Sequence, residues 1–206
     1  MRAMFVHGPR DLRLGEMPKP QPGPGEVLVR VKSVGICGSD VHSYVYGEIG
    51  GTAIEEPLVL GHELSGIVEA LGPGVEGPAV GTPVAVDPSI SCGRCELCLE
   101  GDPHICRENR FFGVAPNHGG FREYLAHPAD LVHPLPEGMS FDEGALLEPM
   151  GIALFVADLA GIRLGDRVAV LGSGPIGLLC VQMARLAGAA EITATDVVVE
   201  RLGAAR

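Results

Sequence analysis

Four of the six cysteines stand in SCGRCELCLEGDPHIC. Cys92, Cys95, Cys98 and Cys106 give the spacing C-x2-C-x2-C-x7-C, which lets one loop wrap its thiolates around a tetrahedral Zn²⁺. Four sulfurs fill every coordination position, so such a site ties down a loop and activates nothing. A pair of disulfides or an iron–sulfur cluster could use the same sulfurs, and His104 inside the stretch could replace one of them. A second set of donors lies outside it: Cys37 in GICGSDVH, and His62-Glu63 in LGHELSGIVEALG. Taken singly, a cysteine after an apolar strand is usually core and a His-Glu pair is usually surface. Together they offer sulfur, nitrogen and oxygen, the mixture a catalytic zinc uses while one position stays open.

A third constellation is Gly172-Ser173-Gly174-Pro175-Ile176-Gly177, a G-x-G-x-x-G turn. VAVL precedes it as a strand, IGLLCVQMARLAG follows as a helix, and Asp196 closes the next strand nineteen residues after Gly177. Gly172, Gly174 and Gly177 allow a tight turn and close backbone approach, so a pyrophosphate can sit at the helix N-terminus. An acid at Asp196 accepts the adenosine ribose hydroxyls and repels a 2′-phosphate, which predicts NAD rather than NADP.

These groups need elements to hold them. To about residue 140 the chain is short apolar or alternating runs broken by glycine and proline: MRAMFV, EVLVRVKSVGI, SGIVEALG, TPVAVDP, FREYLAHP and DLVHPLP. Such a pattern predicts a β-rich, barrel-like domain. Residues 140–161 then change to helical spacing, with Ser140 as N-cap and Asp142 and Glu143 in the first turn, predicting one helix that leaves the first domain for a second. The strand, turn, helix and strand after it form a βαβ unit.

Composition narrows the function classes. Lys plus Arg against Asp plus Glu is 15 − 26 = −11, and no basic run exists for a phosphate backbone to meet, so a nucleic-acid partner is not expected. No long apolar run and no signal-peptide pattern predict a cytoplasmic protein with no membrane partner, where reduced cysteines favour metal.

The run GHELSGIVEALG fits GHE-x2-G-x5-G at Gly61, His62, Glu63, Gly66 and Gly72. With GICGSDVH, the four-cysteine lobe and the nucleotide turn in the same order, the chain resembles the zinc-dependent medium-chain alcohol dehydrogenases. Glu148-Pro149, in GALLEPMG, and SDVHSYVYGEIG make the sorbitol and xylitol (polyol) dehydrogenases the most similar branch, with threonine dehydrogenase next. The resemblance implies a GroES-like zinc-binding catalytic domain over residues 1–150, with its structural zinc lobe at 91–107. After it would come the first, incomplete part of an NAD-binding α/β Rossmann domain over 151–206. It implies two Zn²⁺ per chain: a catalytic one on Cys37, His62 and Glu63, with Glu148 as an alternative ligand or water partner, and a structural one on the four-cysteine lobe. Asp40 would hydrogen-bond the far nitrogen of His62, and Ser39 and His42 would relay the alcohol proton. Ile176 and Arg201 would join the cofactor contacts, although an arginine there could also receive a 2′-phosphate. The substrate would be a small polyol oxidised by hydride transfer to NAD, in a homodimer or homotetramer. Ser43 stands where related enzymes often place a tyrosine, with Tyr44 and Tyr46 nearby. Family members are longer, so the chain is expected to be C-terminally truncated and, alone, inactive. A zinc-holding fragment without catalysis and a zinc-ribbon interaction module are the readings from other classes. The first predicts two zincs without turnover, and the second predicts one zinc and no consequence from losing Cys37 or His62.

Overall fold

The computed structural model describes residues 1–205. The chain divides into two compact units, the first Met1–Leu146 and the second from Leu147 onward. In the first, β1 (Arg2–Gly8) and β2 (Asp11–Glu16) form an antiparallel hairpin. Next comes β3 (Glu26–Val34), whose Val27, Leu28 and Val29 are buried. The chain passes Cys37 into α1 (Gly38–Tyr46), then forms the small hairpin of β4 (Glu48–Ile49) and β5 (Thr52–Ala53). β6 (Leu58–Val59) adds to β1, giving the order β2-β1-β6.

β7 (Leu64–Leu71) and β8 (Pro83–Val86) follow. A stem of β9 (Ser89–Ile90) and β10 (Arg110–Phe111) carries the cysteine lobe, which includes the short α2 (Glu96–Glu100). β11 (Tyr124–Pro128) and β12 (Val132–Pro134) complete a five-stranded antiparallel sheet of order β11-β3-β7-β8-β12. One core fills it: Val27, Val29, Leu64, Val68, Val84, Val86, Phe112, Leu125 and Val132. β11, at the sheet edge, alternates buried and less buried residues, whereas β3, β7 and β8 bury three successive residues each because both of their faces are covered there. DLRLGE, which is not among the runs expected to be strands, forms β2 by antiparallel pairing with β1.

α3 (Phe141–Ala145) packs on β3, β7 and β8. It starts in a capping box: Ser140 Oγ accepts the Glu143 amide at 3.2 Å, and the Glu143 carboxylate accepts the Ser140 amide at 2.8 Å. The single helix expected over residues 140–161 is two helices, since α4 (Leu147–Leu159) begins a new one after Leu146. Pro149 has no N–H for the carbonyl of Ala145, and its ring crowds that carbonyl, so the ladder breaks there.

In the second unit α4 is followed by β13 (Arg167–Leu171), α5 (Pro175–Leu186), β14 (Glu191–Thr195) and α6 (Val199–Ala204). β13 and β14 pair in parallel, from Arg167 opposite Glu191 to Leu171 opposite Thr195. A parallel pair requires a crossover, and α5 is that crossover. Ala153 and Ala157 of α4 pack on Leu179 and Met183 of α5 as this unit's core. No helix among the described residues is long and apolar enough to cross a membrane.

Candidate functional site

Cys37 lies at the N-cap of α1, directly after β3, while His62 and Glu63 lead into β7 beside it. The Gly35 amide donates to the Glu63 carbonyl at 2.7 Å and fixes the two segments against each other. Sequence reasoning missed Gly35: a Cβ there would collide with the Glu63 carboxylate, so only glycine leaves room for it. As a result Cys37 Sγ, a ring nitrogen of His62 and a carboxylate oxygen of Glu63 lie within 4.8 Å of one another. Phe111 packs edge-on against His62, its ring centroid 5.3 Å away.

His62 is 6% exposed and Glu63 8%, and among the described residues no arginine or lysine pairs with Glu63. A buried carboxylate beside a thiol and an imidazole is costly without a cation. Borderline-soft sulfur and nitrogen with one hard oxygen suit zinc, so the donor set fits the metal that the sequence implies. Burial pushes the Cys37 thiol up and the Glu63 charge adds to this, while hydrogen bonds from the Ser39 side chain and backbone pull it partly down. A divalent cation would reverse that balance and leave a thiolate.

Asp40, 4% exposed, does not hydrogen-bond His62. Its Oδ1 is 3.8 Å from His62 Nδ1, too far for such a bond, and that nitrogen is buried without a partner among the described residues. The two oxygens instead accept the Cys37 and Gly61 amides, each at 3.0 Å. Asp40 therefore ties the cysteine-bearing segment to the histidine-bearing one. Ser39 and His42 sit one turn apart on α1, so they share a face. His42 is half exposed, with Nε2 3.6 Å from Glu48 Oε1 and its ring 4.6 Å from that of Tyr46. Ser43 turns into the interior, fully buried.

The four lobe sulfurs also close on one another, within 4.8 Å and without His104; none of the six cysteines is in a disulfide. Amides of Arg94 and Cys95 lower the Cys92 thiol to about 6, whereas burial raises Cys98 to about 11. Ion pairs Arg94–Glu108 at 3.0 Å and Arg107–Glu96 at 2.8 Å clip the lobe outside the sulfurs.

In the second unit Gly172 has φ 106°, a conformation that favours glycine, and a Cβ on Gly177 would strike the Gly172 carbonyl oxygen. Gly174 is the N-cap of α5, with Pro175 as the first helical residue and Ile176 partly exposed behind it. Asp196 is engaged inward: Oδ2 accepts the Ser173 amide at 2.7 Å and Oδ1 the Val198 amide at 2.8 Å. Those amides hold its carboxyl below the usual range, with a smaller contribution from Arg201, whose Nη1 is 3.8 Å away. Each oxygen keeps a second lone pair for a ribose hydroxyl. Glu148 stands in the first turn of α4, immediately before Pro149.

The family model of the alcohol dehydrogenase GroES-like domain matches residues 23–137. The chain belongs to this family. Within the GroES-like alcohol dehydrogenases it is 39% identical to the sorbitol dehydrogenase of Bacillus subtilis, covering all of this chain and 58% of that enzyme. A zinc-binding dehydrogenase of Sinorhizobium meliloti 1021 bound to NADP superimposes with a TM-score of 0.89 at 36% identity, over 99% of this chain and 58% of that one. A short chain alcohol dehydrogenase from Escherichia coli CFT073 complexed with NADH gives 0.90 at 38%, over 98% and 58%. The chain thus spans somewhat under two thirds of each relative. The GroES-like fold, with a βαβ unit after it, is the architecture expected from the sequence.

Proposed function

We propose that the protein to which these residues belong oxidises a secondary alcohol of a polyol such as sorbitol or xylitol, passing hydride to NAD. The observation that carries this reading is the convergence of Cys37 with the buried His62 and Glu63, whose donor atoms lie within 4.8 Å of one another. Likeness to a sorbitol dehydrogenase and to a structure holding NADH supports it. When bound, zinc supplies Lewis acidity and NAD accepts the hydride.

The chain's own residues do the rest. Cys37, His62 and Glu63 would hold the catalytic metal, with Glu148 as an alternative ligand, and Asp40 sets the spacing between the first two. Ser39, beside the Cys37 thiol, would take the alcohol proton and hand its own to His42, which faces water. Gly172, Gly174 and Gly177 would seat the pyrophosphate at the start of α5, with Ile176 against the cofactor. Asp196 and Arg201 would meet the adenosine end. Cys92, Cys95, Cys98 and Cys106 would hold a second zinc with no catalytic part.

Elemental analysis of the purified chain should find two zincs, and a Cys37→Ala variant one. A chain extended to the length of its relatives should oxidise sorbitol or xylitol with NAD, and lose that turnover in Cys37→Ala. A single zinc unaffected by Cys37→Ala, or turnover that survives the substitution, would overturn the proposal.

A further inference from the structure

We infer that Phe111 is a positioning residue for His62: its ring, presented from the stem of the cysteine lobe, fixes the rotation of that imidazole. The inference rests on the proposed function, which makes His62 a ligand of the catalytic metal. An imidazole that binds a metal is ordinarily oriented by a hydrogen bond to a carboxylate or a carbonyl. The Asp40 carboxylate, placed for that role, stays 3.8 Å from His62 Nδ1, and Nδ1 is buried without a partner among the described residues. Packing must then hold the ring.

Strand alternation delivers Phe111 to it. Neighbouring side chains of an extended segment point to opposite sides. Phe112 enters the sheet core, 4% exposed, with its ring edge-on to His127 and 5.3 Å away. Phe111 therefore turns the other way and meets His62, the ring centroids 5.3 Å apart and the planes at 63°. The stem is tied at the same level. Phe111 pairs with Ser89, the Phe112 amide donates to the Pro88 carbonyl at 3.2 Å, and Asn109 Nδ2 donates to Ser89 Oγ at 3.0 Å.

The chain that follows grips the backbone leading into His62. The carbonyls of Val59, Leu60 and Gly61 accept the amides of Gly119, Phe121 and Gly120 at 2.6, 2.9 and 2.7 Å. A Cβ on Gly113 or Gly119 would strike the Gly61 carbonyl oxygen, so glycine is what lets the two segments approach this closely. That clasp fixes where the His62 side chain starts and leaves its torsions to be set by what packs on the ring. Tilted and edge-on aromatic pairs have a preferred geometry because ring edges are positive and faces negative. An aliphatic side chain of the same volume fills the space without that preference.

The test reads the metal site rather than turnover. Cobalt(II) has visible bands that report ligand geometry, so the chain is loaded with zinc in the cysteine lobe and cobalt at the Cys37 site. Phe111→Met, which keeps the volume and loses the ring, should shift those bands and release cobalt to a chelator about threefold to tenfold faster. Phe111→Leu should behave as Phe111→Met does, and Phe111→Tyr, which keeps the ring, should restore both readouts. Lobe zinc, counted by elemental analysis, should stay at one per chain throughout. Bands and release rate unchanged in folded Phe111→Met or Phe111→Leu overturn the inference while the two-metal proposal stands. A Phe111→Tyr protein no better than Phe111→Met also overturns it. A wild-type chain that takes up metal in the lobe alone defeats the functional reading, and the inference with it.

Discussion

Asp40 and Gly35 show how much of the proposed metal site is made by residues that would donate nothing to the metal. Asp40 joins the amides of Cys37 and Gly61 through one carboxylate, so two segments 24 residues apart in sequence (61 − 37 = 24) keep a common register. Gly35 is absent from any reading of ligands, yet its missing side chain is the space in which the Glu63 carboxylate sits. Gly35→Ala should therefore displace Glu63, and zinc should fall from two per chain to one while the lobe keeps its own. Retention of two zincs by a folded Gly35→Ala protein, measured by elemental analysis, would show that Glu63 has another place to go. The donors themselves were legible because GHE and GICGSDVH carry unusual types at fixed spacing. Gly35 was not, since a glycine just past a strand end carries no mark of the carboxylate packed on it.

β11 brings His127 into the core, 1% exposed, where Nε2 makes a 2.8 Å hydrogen bond with the Asp87 carbonyl and the ring meets Phe112 edge-on. Burial lowers its pKa, and the bond to Asp87 only partly offsets this. Because the folded-state pKa lies below the unfolded one, the unfolded chain binds the extra proton first. Stability is therefore complete above the unfolded value near 6.5 and falls as pH drops below it. Urea midpoints of the first unit should decline from pH 7 to 5, and His127→Gln should flatten that slope. His118, also lowered by burial, should leave a smaller residual slope, and an unchanged slope in His127→Gln would reject the assignment. Among the elements, the strands with clean alternation were readable in advance, and so was the βαβ unit. α1 was not, because GSDVHSYVY is rich in residues with little helical preference. It is a helix through Asp40, whose carboxylate accepts the amide of the N-cap residue Cys37, and through its packing on β1 and β4.

For the molecule entire, two sulfur-bearing sites occupy separate parts of one unit, and their losses should be separable. Cys95→Ser with Cys98→Ser should release the lobe zinc and open residues 91–107 to protease, while the β3–β7 core resists digestion and the Cys37 site keeps its metal. Loss of both zincs together in that variant would mean that the lobe supports the first unit as a whole. The lobe stands on only the β9–β10 stem and is clipped by exposed ion pairs. Such pairs are worth little, so a bound metal would supply most of its order.

Residue type and spacing were enough for the cysteine lobe, the GHE segment, the nucleotide turn and the sequence of a β-rich part followed by βαβ. Each is a local pattern, with ligands or glycines at short fixed separations. Long-range approach settled the rest. Cys37 meets the buried His62 and Glu63 because β3 and β7 pair. Asp40 bonds the amides of Cys37 and Gly61 because the pairing of β3 and β7 brings those two segments to either side of its carboxylate, leaving His62 Nδ1 at 3.8 Å. Asp196 turns inward because β14 lies in register with β13 and delivers it to the Ser173 amide. Distances between residues remote in sequence depend on how strands pair and turns reverse, which no short stretch of sequence contains.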